Sequence, residues 1–573
     1  MTSIQRPAPV TTLSDPADLV PGLSQAIGPT DVPLVDETIG RYLSRTVAAF
    51  PDHDALIDFY GDKHLTYQEL HRKVLRLASG LHAAGYRKGD RIGVWSPNRW
   101  EWTVLQFAAA EIGLILVTLN PSYRTRELTY AMNQAGVTAL FSAGRFKDSN
   151  YRAMVHTVEH EFPRDFRETV FFGSERWEEL AGHPVSDLTE VREALDPHDP
   201  ILIQYTSGTT GLAKGATLTH HNILNNALIL GRRLGYSEAD RVVIPVPFFH
   251  CSGMVIGVLG AVAVGATAII SGPGFTPASV LEAVSLGEAT CLIGVPTMFL
   301  AILQTLDANP GKYRLDSLRT GLIAGTSVPT HLFRRIIDEM GMTEAGTVYG
   351  MTETSPVNHQ SLPGDSVEKR VTTVGRVSDH TEVKIVDPRS GDTVPVGTQG
   401  EVLVRGYTVM SGYWDMPAKT EDTIEPDGWI HSGDLGVMDD EGYVQITGRS
   451  KDMVIRGGEN IYPREIEEYL YTHPDIVDVQ VIGVPDEKYG EELMAWIIMA
   501  EGAEPLDAAA VRAFCEGHLA RFKIPKFIHL TDAFPMTVSG KVRKVEMREK
   551  AIGILGLYTG TTPAPGPTTT DRS

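Results

Sequence analysis

Five short stretches of the sequence gather residues that could act on phosphates. The most concentrated is "YTSGTTGLAKG", Tyr205 to Gly215. Thr206, Ser207, Thr209 and Thr210 supply hydroxyls, Gly208 and Gly211 allow close backbone approach, and Lys214 adds a cation. The stretch is not a Walker loop, because no Ser or Thr follows the lysine and the glycine spacing differs. The apolar run "ILIQY" leads into it, and Ala216 to Thr219 reads as strand before a helix beginning near His220. A loop lying between two strands must hold an anion with its own amides and hydroxyls, whereas a Walker loop uses a helix N-terminus. The competing reading is an ordinary turn.

"TVYGMTETSP" (Thr347–Pro356) presents Tyr349, Gly350, Met351, Thr352 and Glu353 in succession. An aromatic ring, a hydroxyl and a carboxylate so close together could stack a base, contact a phosphate and hold a magnesium ion. "DGWIHSGDL" is expected to place Asp434 in a turn, where its carboxylate can accept both hydroxyls of a ribose. Arg449, Lys451 and the pair Gly457–Gly458, followed by Glu459, stand where the sequence pattern changes. "PMTVSGKVRK" sets Lys541 on a glycine-supported turn. Each of these alone reads as a solvated turn; their co-occurrence in this order carries the signal.

Such loops need rigid elements behind them. "RIGVWSP", "LILVTLNP", "VTALFSA", "ILIQYTS", "RVVIPVP" and "ATCLIGVP" are short β-rich runs ending in turn residues. Helical stretches lie between them, as in "YQELHRKVLRLASGLHAAG", with Leu70, Val74, Leu77 and Leu81 at helical spacing. This alternation predicts an α/β fold with largely parallel sheets. After residue 380 the pattern turns to short strands and tight turns, and past Gly448 to a separate α+β unit of helix, strand, strand and helix. The expected organisation is an N-terminal extension over 1–34 and a large α/β domain of stacked sheets over 35–448. That domain includes a small β-rich subdomain from about 380. A mobile α+β C-terminal domain spans 449–555, and a disordered tail of Pro, Thr and Gly spans 556–573.

The 573 residues exceed what one core organises. A net charge of −21 repels nucleic acid and anionic membranes, so an anionic ligand has to be met by a local positive site. Cys251, Cys291 and Cys515 show neither metal nor redox spacing, and the N-terminus lacks a signal-peptide h-region; both fit a reducing cytoplasm. The uncharged run Gly253 to Gly272 is nearly long enough to span a bilayer. It lacks basic and aromatic flanks, and the preferred reading is a buried helix entering a buried strand at Ala266 to Ile270. No membrane span is expected, and oligomeric state is not legible.

Together these motifs resemble the adenylate-forming superfamily of acyl-CoA synthetases, firefly luciferases and nonribosomal adenylation domains. The likeness runs from about residue 35 to 550. Through "LNPSYRTRELTYAMNQAG", "GRSKDMVIRGGENIYPREIEEYLYTHPDI" and "FKIPKFI" it stands nearest medium-chain fatty acyl-CoA synthetases. The resemblance implies a carboxylic acid–CoA ligase that uses ATP, Mg2+ and coenzyme A. An acyl-adenylate forms with release of pyrophosphate, and the acyl group then passes to the coenzyme A thiol.

By the same resemblance, Thr206 to Lys214 hold the β- and γ-phosphates. Tyr349 stacks on adenine beside Gly350 and Met351, and the backbone of Gly325, Thr326 and Ser327 lines the purine edges. Thr352 contacts the α-phosphate, Glu353 the magnesium, and Asp434 and Arg449 the ribose. Lys541 matches the catalytic lysine, Lys451 the hinge, and Gly457, Gly458 and Glu459 the coenzyme A tunnel. His250 borders an acyl pocket expected to include Gly253, Met254, Val255, Met298 and Val357. Two departures stand out: "AGTSVP" replaces the Gly-Ala-Pro of many relatives, and the hinge is lysine where other branches use aspartate.

Adenylation brings one anion against another, so cations and oriented donors must do most of the work. The thiol step needs the space that the lysine occupies in the first step, which a hinged second domain would vacate. The alternative is the same adenylate passed to a carrier-protein thiol or an amine; a non-catalytic nucleotide sensor is a further one. No residue supports a luciferase-like oxygenase activity.

Overall fold

Leu70, Val74, Leu77 and Leu81 are completely buried along one face of the helix Tyr67–Ala83. Thr66 and Glu69 close its N-terminus with a capping box, each side chain taking the other's backbone N–H. The computed structural model describes residues 18–206, 213–325, 328–457, 459–537 and 541–557. They divide into two compact units, the first running to Ile446 and the second beginning at Thr447.

All six runs anticipated as strands are strands. In the first unit they build two large sheets, both parallel at their centres. One contains, in order, Gly412–Tyr413, Lys214–Thr219, Pro200–Thr206, Ile115–Leu119, Arg91–Trp95, Ala139–Ser142 and Glu168–Phe171. The other has nine strands, and its parallel centre runs Gly346–Tyr349, Thr320–Ile323, Cys291–Gly294, Arg241–Val243, Thr267–Ile270 and Asp54–Asp58. A third sheet, of six strands, is antiparallel around Thr381–Val386, Gly400–Gly406 and Ile430–Met438. Asp18–Leu19 and Gln25–Ile27 extend this sheet, the latter pairing with Thr381–Val386.

The uncharged run Gly253 to Gly272 forms a π-helical coil, Ser252–Leu259, then the α-helix Gly260–Val264 and the buried strand Thr267–Ile270. Gly253 and Gly257 let this coil lie directly against Pro247 and Ile244, where a Cβ would collide. Among the described residues no helix is long and apolar enough to cross a membrane.

The second unit is a five-stranded sheet centred on the long antiparallel pair Ile476–Asp486 and Gly490–Met499. The helices Pro463–Leu470, Ala508–Cys515 and Lys544–Ile554 flank the chain around it, with Ile466, Leu470, Val511, Met547 and Ala551 buried.

Candidate active site

Parallel sheets collect loops at their carboxyl ends, which is where open α/β folds bind ligands. Four strands of the nine-stranded sheet deliver anticipated residues there. Arg241–Val243 leads towards His250, and Cys291–Gly294 towards Met298 on the helix Pro296–Ala308. Thr320–Ile323 leads to Gly325, and Gly346–Tyr349 ends on Tyr349 itself. The last two strands are direct neighbours, Ile323 pairing with Thr347, so Gly325 and Tyr349 leave the same sheet end.

Tyr349 reaches Asp434: its phenol donates to Oδ2 at 2.8 Å. Asp434 is not in a turn, as its neighbours suggested, but inside the strand Ile430–Met438, and it is 6% exposed. Gly433, at φ 71°, kinks that strand, and Asp434 donates its backbone N–H to Ser432 Oγ at 3.0 Å. A glycine-centred bulge therefore reads locally like a turn. Gly350 must be glycine, since at φ 157° a Cβ would lie 1.9 Å from the Pro356 carbonyl oxygen.

Thr352 and Glu353 follow in the buried 3₁₀ turn Thr352–Thr354. Glu353 Oε1 accepts the Tyr413 phenol at 2.8 Å, and its backbone carbonyl accepts the Met410 N–H at 2.9 Å. The Tyr413 ring in turn faces the Lys214 ammonium at 4.1 Å. Tyr413 was not foreseen from sequence; its one local signal is the "SGYW" stretch, and its meaning lies in contacts distant along the chain.

The glycine stretch joins antiparallel strands. Thr206, which ends Pro200–Thr206, pairs with Lys214, which opens Lys214–Thr219, and the helix His220–Arg233 begins only afterwards. Ser207, Gly208, Thr209, Thr210 and Gly211 lie outside the described residues, as do Thr326, Ser327 and Gly458.

Around the residues anticipated for an acyl pocket, His250 Nδ1 and Ser252 Oγ are 3.1 Å apart. Gly253, Met254 and Val255 lie on the π-helical coil. Met254, Val255, Met298 and Val357 share one buried apolar cluster. Sequence reading passed over Gln204, whose amide donates to the Phe249 carbonyl at 3.1 Å while its Oε1 accepts the buried Cys251 thiol. It thereby ties the strand entering the glycine stretch to the segment carrying His250. Asn226 was also missed, and it holds the Val357 backbone.

The remaining anticipated residues belong to the second unit. Arg449 ends the strand Val444–Arg449 and is exposed, and Lys451 is exposed in the turn after it. Gly457, at φ 61°, sits in the turn of a β-hairpin whose strands are Val454–Arg456 and Glu459–Ile461, with Arg456 and Glu459 paired. Glu459 is exposed. Lys541 is fixed by its backbone, donating its N–H to Thr537 Oγ1 at 2.9 Å and accepting the Thr537 N–H at 2.7 Å.

Comparison with known proteins agrees with this architecture. Residues 43–414 match the family described as AMP-binding enzyme, and residues 465–541 match the AMP-binding enzyme C-terminal domain. YngI of Bacillus subtilis (strain 168) is 43% identical over 91% of this chain and 99% of its own. The medium-chain acyl-CoA ligase ACSF2, mitochondrial, of Mus musculus is 40% identical over 92% of this chain and 90% of its own. Among solved structures, the anthranilate CoA ligase AuaEII in complex with anthranoyl-AMP superposes with a TM-score of 0.83. It is 25% identical and covers 92% of this chain and 99% of its own. ATP-bound MatB from Rhodopseudomonas palustris gives 0.80 at 30% identity, over 90% and 99%. The chain belongs to the AMP-binding enzyme family, as an adenylate-forming ligase akin to acyl-CoA synthetases.

Proposed function

We propose that the chain is an ATP-dependent carboxylic acid–CoA ligase, acting on a medium-chain fatty acid, with Mg2+ as its metal and the cytoplasm as its compartment. The Tyr349–Asp434 hydrogen bond carries the reading. It fixes an aromatic face beside a carboxylate at a sheet end, the two groups that an adenosine needs for its base and its ribose. Glu353, three residues beyond Gly350, fits the metal. Among the described residues no group of three or more His, Cys, Asp or Glu could hold an ion by itself. Magnesium is content with one or two carboxylates plus substrate phosphates, and when bound it would neutralise phosphate charge.

In the first step an oxygen of the substrate carboxylate bonds to the α-phosphorus, and the bond to the bridging β-oxygen breaks, releasing pyrophosphate. In our reading the glycine stretch and Lys214 hold the leaving phosphates and Thr352 donates to the α-phosphate. Lys541 places an ammonium between the two reacting anions, a charge-assisted contact of the strong kind. In the second step the coenzyme A thiol gives up its proton, attacks the acyl carbonyl and expels AMP. Gly457, Gly458 and Glu459 are proposed to face that thiol's arm, and Arg449 and Lys451 to absorb the change of position between the steps. His250 and the apolar Met254, Val255, Met298 and Val357 are proposed to enclose the acyl chain. No lysine or arginine among these residues could pair with a second substrate carboxylate, which favours an unbranched or aromatic monoacid, and the medium-chain name of the ACSF2 relative points to the unbranched kind.

The test is pyrophosphate release across a panel of carboxylic acids, followed by thioester formation with coenzyme A. The expected result is highest turnover with unbranched acids of intermediate length. Pyrophosphate release with none of the acids, or adenylate that never reaches coenzyme A, would overturn the proposal.

A further inference from the structure

We infer that Tyr413 is a positioning residue of the adenylation step, aiming the Glu353 carboxylate while bracing Lys214; this rests on the reading of Glu353 and Lys214 given above. The observation is a strap of backbone, residues 408–414, stitched to both sides of the site. Thr408 accepts the Ser355 hydroxyl through its carbonyl at 2.5 Å, and Met410 donates to the Glu353 carbonyl at 2.9 Å. Ser411 and Trp414 donate to the Thr217 and Gly215 carbonyls at 3.0 and 2.8 Å. The strap therefore ties the turn that bears Glu353 to the strand that leaves the glycine stretch.

Tyr413 is the side chain at the middle of this tie. It is 6% exposed, and its backbone N–H is spent on Thr420 Oγ1 at 2.9 Å. Gly412, at φ 139°, packs against the Thr420 side chain, where a Cβ would lie 2.9 Å away, so a larger residue beside Tyr413 would force this contact apart. Two ends of one rigid ring then meet two different groups: the hydroxyl donates to Glu353 Oε1 at 2.8 Å, and the face receives Lys214 Nζ at 4.1 Å.

A buried carboxylate needs donors, or it loses its charge or its direction. A phenol serves without adding a second charge near the phosphates. It also occupies one carboxylate oxygen, and we assign the other, Oε2, to the metal. The ring face attracts the ammonium of Lys214 and limits its swing. One side chain thus couples the group that meets the metal to the group that meets the terminal phosphates.

The two contacts separate by substitution. Tyr413→Phe removes the hydroxyl and keeps the ring; Tyr413→Leu removes both. Losing a hydrogen bond to a charged group costs about tenfold or more. For Tyr413→Phe we expect half-saturating Mg2+ in ATP–pyrophosphate exchange to rise by about that factor, with the rate at saturating Mg2+ largely kept. Calorimetry should show Mg2+·ATP binding weakened to the same degree and AMP binding unchanged. Tyr413→Leu should in addition weaken ATP binding in the absence of metal. An unaltered Mg2+ dependence in Tyr413→Phe, or AMP affinity falling in parallel, would overturn the inference. Should the variants not fold, 3-fluorotyrosine placed at position 413 preserves the shape, and its ¹⁹F resonance is expected to move with Mg2+·ATP and not with AMP. A resonance indifferent to Mg2+·ATP would refute it. Wild-type protein lacking any Mg2+-dependent exchange would sink the proposed function instead, so the two failures are distinguishable.

Discussion

Asn226 and Val357 are joined by two hydrogen bonds: the Val357 N–H donates to Asn226 Oδ1 at 3.1 Å, and the Asn226 amide donates to the Val357 carbonyl at 2.7 Å. The partners are 131 positions apart and both buried. Asn225, its neighbour on the helix His220–Arg233, makes the same double contact to Val35, at 2.7 and 2.9 Å. Asn222 on that helix donates to the Tyr407 and Val409 carbonyls. One helix thus pins three distant backbones, among them the segment following the Glu353 turn.

Asn226→Ala is expected to destabilise the protein by about 2–4 kcal/mol, because a buried N–H and a buried C=O lose their partner together. Since Val357 is proposed to border the acyl chain, the KM for the acid should rise more than that for ATP. Urea unfolding at unchanged slope, together with the two KM values, checks this. Equal effects on both substrates would remove Val357 from the acyl side.

Asp434→Ala is expected to weaken AMP binding by about 10- to 100-fold, the worth of hydrogen bonds to a charged acceptor. Tyr349→Phe keeps the stacking face and the Asp434 carboxylate while losing the 2.8 Å bond between them, so its effect should be smaller. Because the residues touch, the double variant should fall short of the sum of the singles. Calorimetric titration with AMP measures all three; strict additivity would mean that the phenol does not orient the carboxylate.

What could be read from sequence was whatever repeats locally. The strand runs and the stripe Leu70, Val74, Leu77, Leu81 announce themselves because burial there follows the period of one element. The position of the glycine stretch between strands was legible for the same reason. Asp434 was misplaced because Ser-Gly-Asp looks alike in a turn and in a bulged strand, and only the pairing with Gly400–Gly406 decides. Tyr413, Gln204 and Asn226 stayed hidden because each acts on backbone or side chains far along the chain. Asp18–Leu19 and Gln25–Ile27 are too short and polar to signal a strand; the neighbouring edge Thr381–Val386 makes them one.

Lys541→Ala is expected to lower ATP–pyrophosphate exchange by about 100- to 1,000-fold, the usual effect of removing a donor from developing charge. Thioester formation from supplied acyl-adenylate should stay within a few-fold of wild type. Urea unfolding of the variant, read beside the exchange rate, separates lost chemistry from lost stability. Exchange surviving near the wild-type rate would move the chemistry away from Lys541.

Two buried histidines, His220 and His359, and the half-buried His71 make stability sensitive to acid. Burial holds His220 down to about 4, with Asp199 opposing, and its Nδ1 accepts the Ile39 N–H at 3.2 Å. Burial, assisted by Arg192, holds His71 at about 4, and burial with Arg233 holds His359 at about 3. In each case the folded value lies below that of the unfolded chain, so the unfolded state takes up protons first as pH falls. The stability is fully present above about pH 6.5 and drains away as pH drops towards 4, and for His359 towards 3. For His220 the loss should be on the order of 3 kcal/mol. His220→Asn keeps an acceptor where Nδ1 stood and cannot protonate, so it should flatten the slope between pH 6.5 and 4 by about that amount. Urea unfolding of both proteins across that range measures the difference, which cancels the carboxylates they share. Parallel curves would show that His220 is charged in the folded protein or neutral in both states.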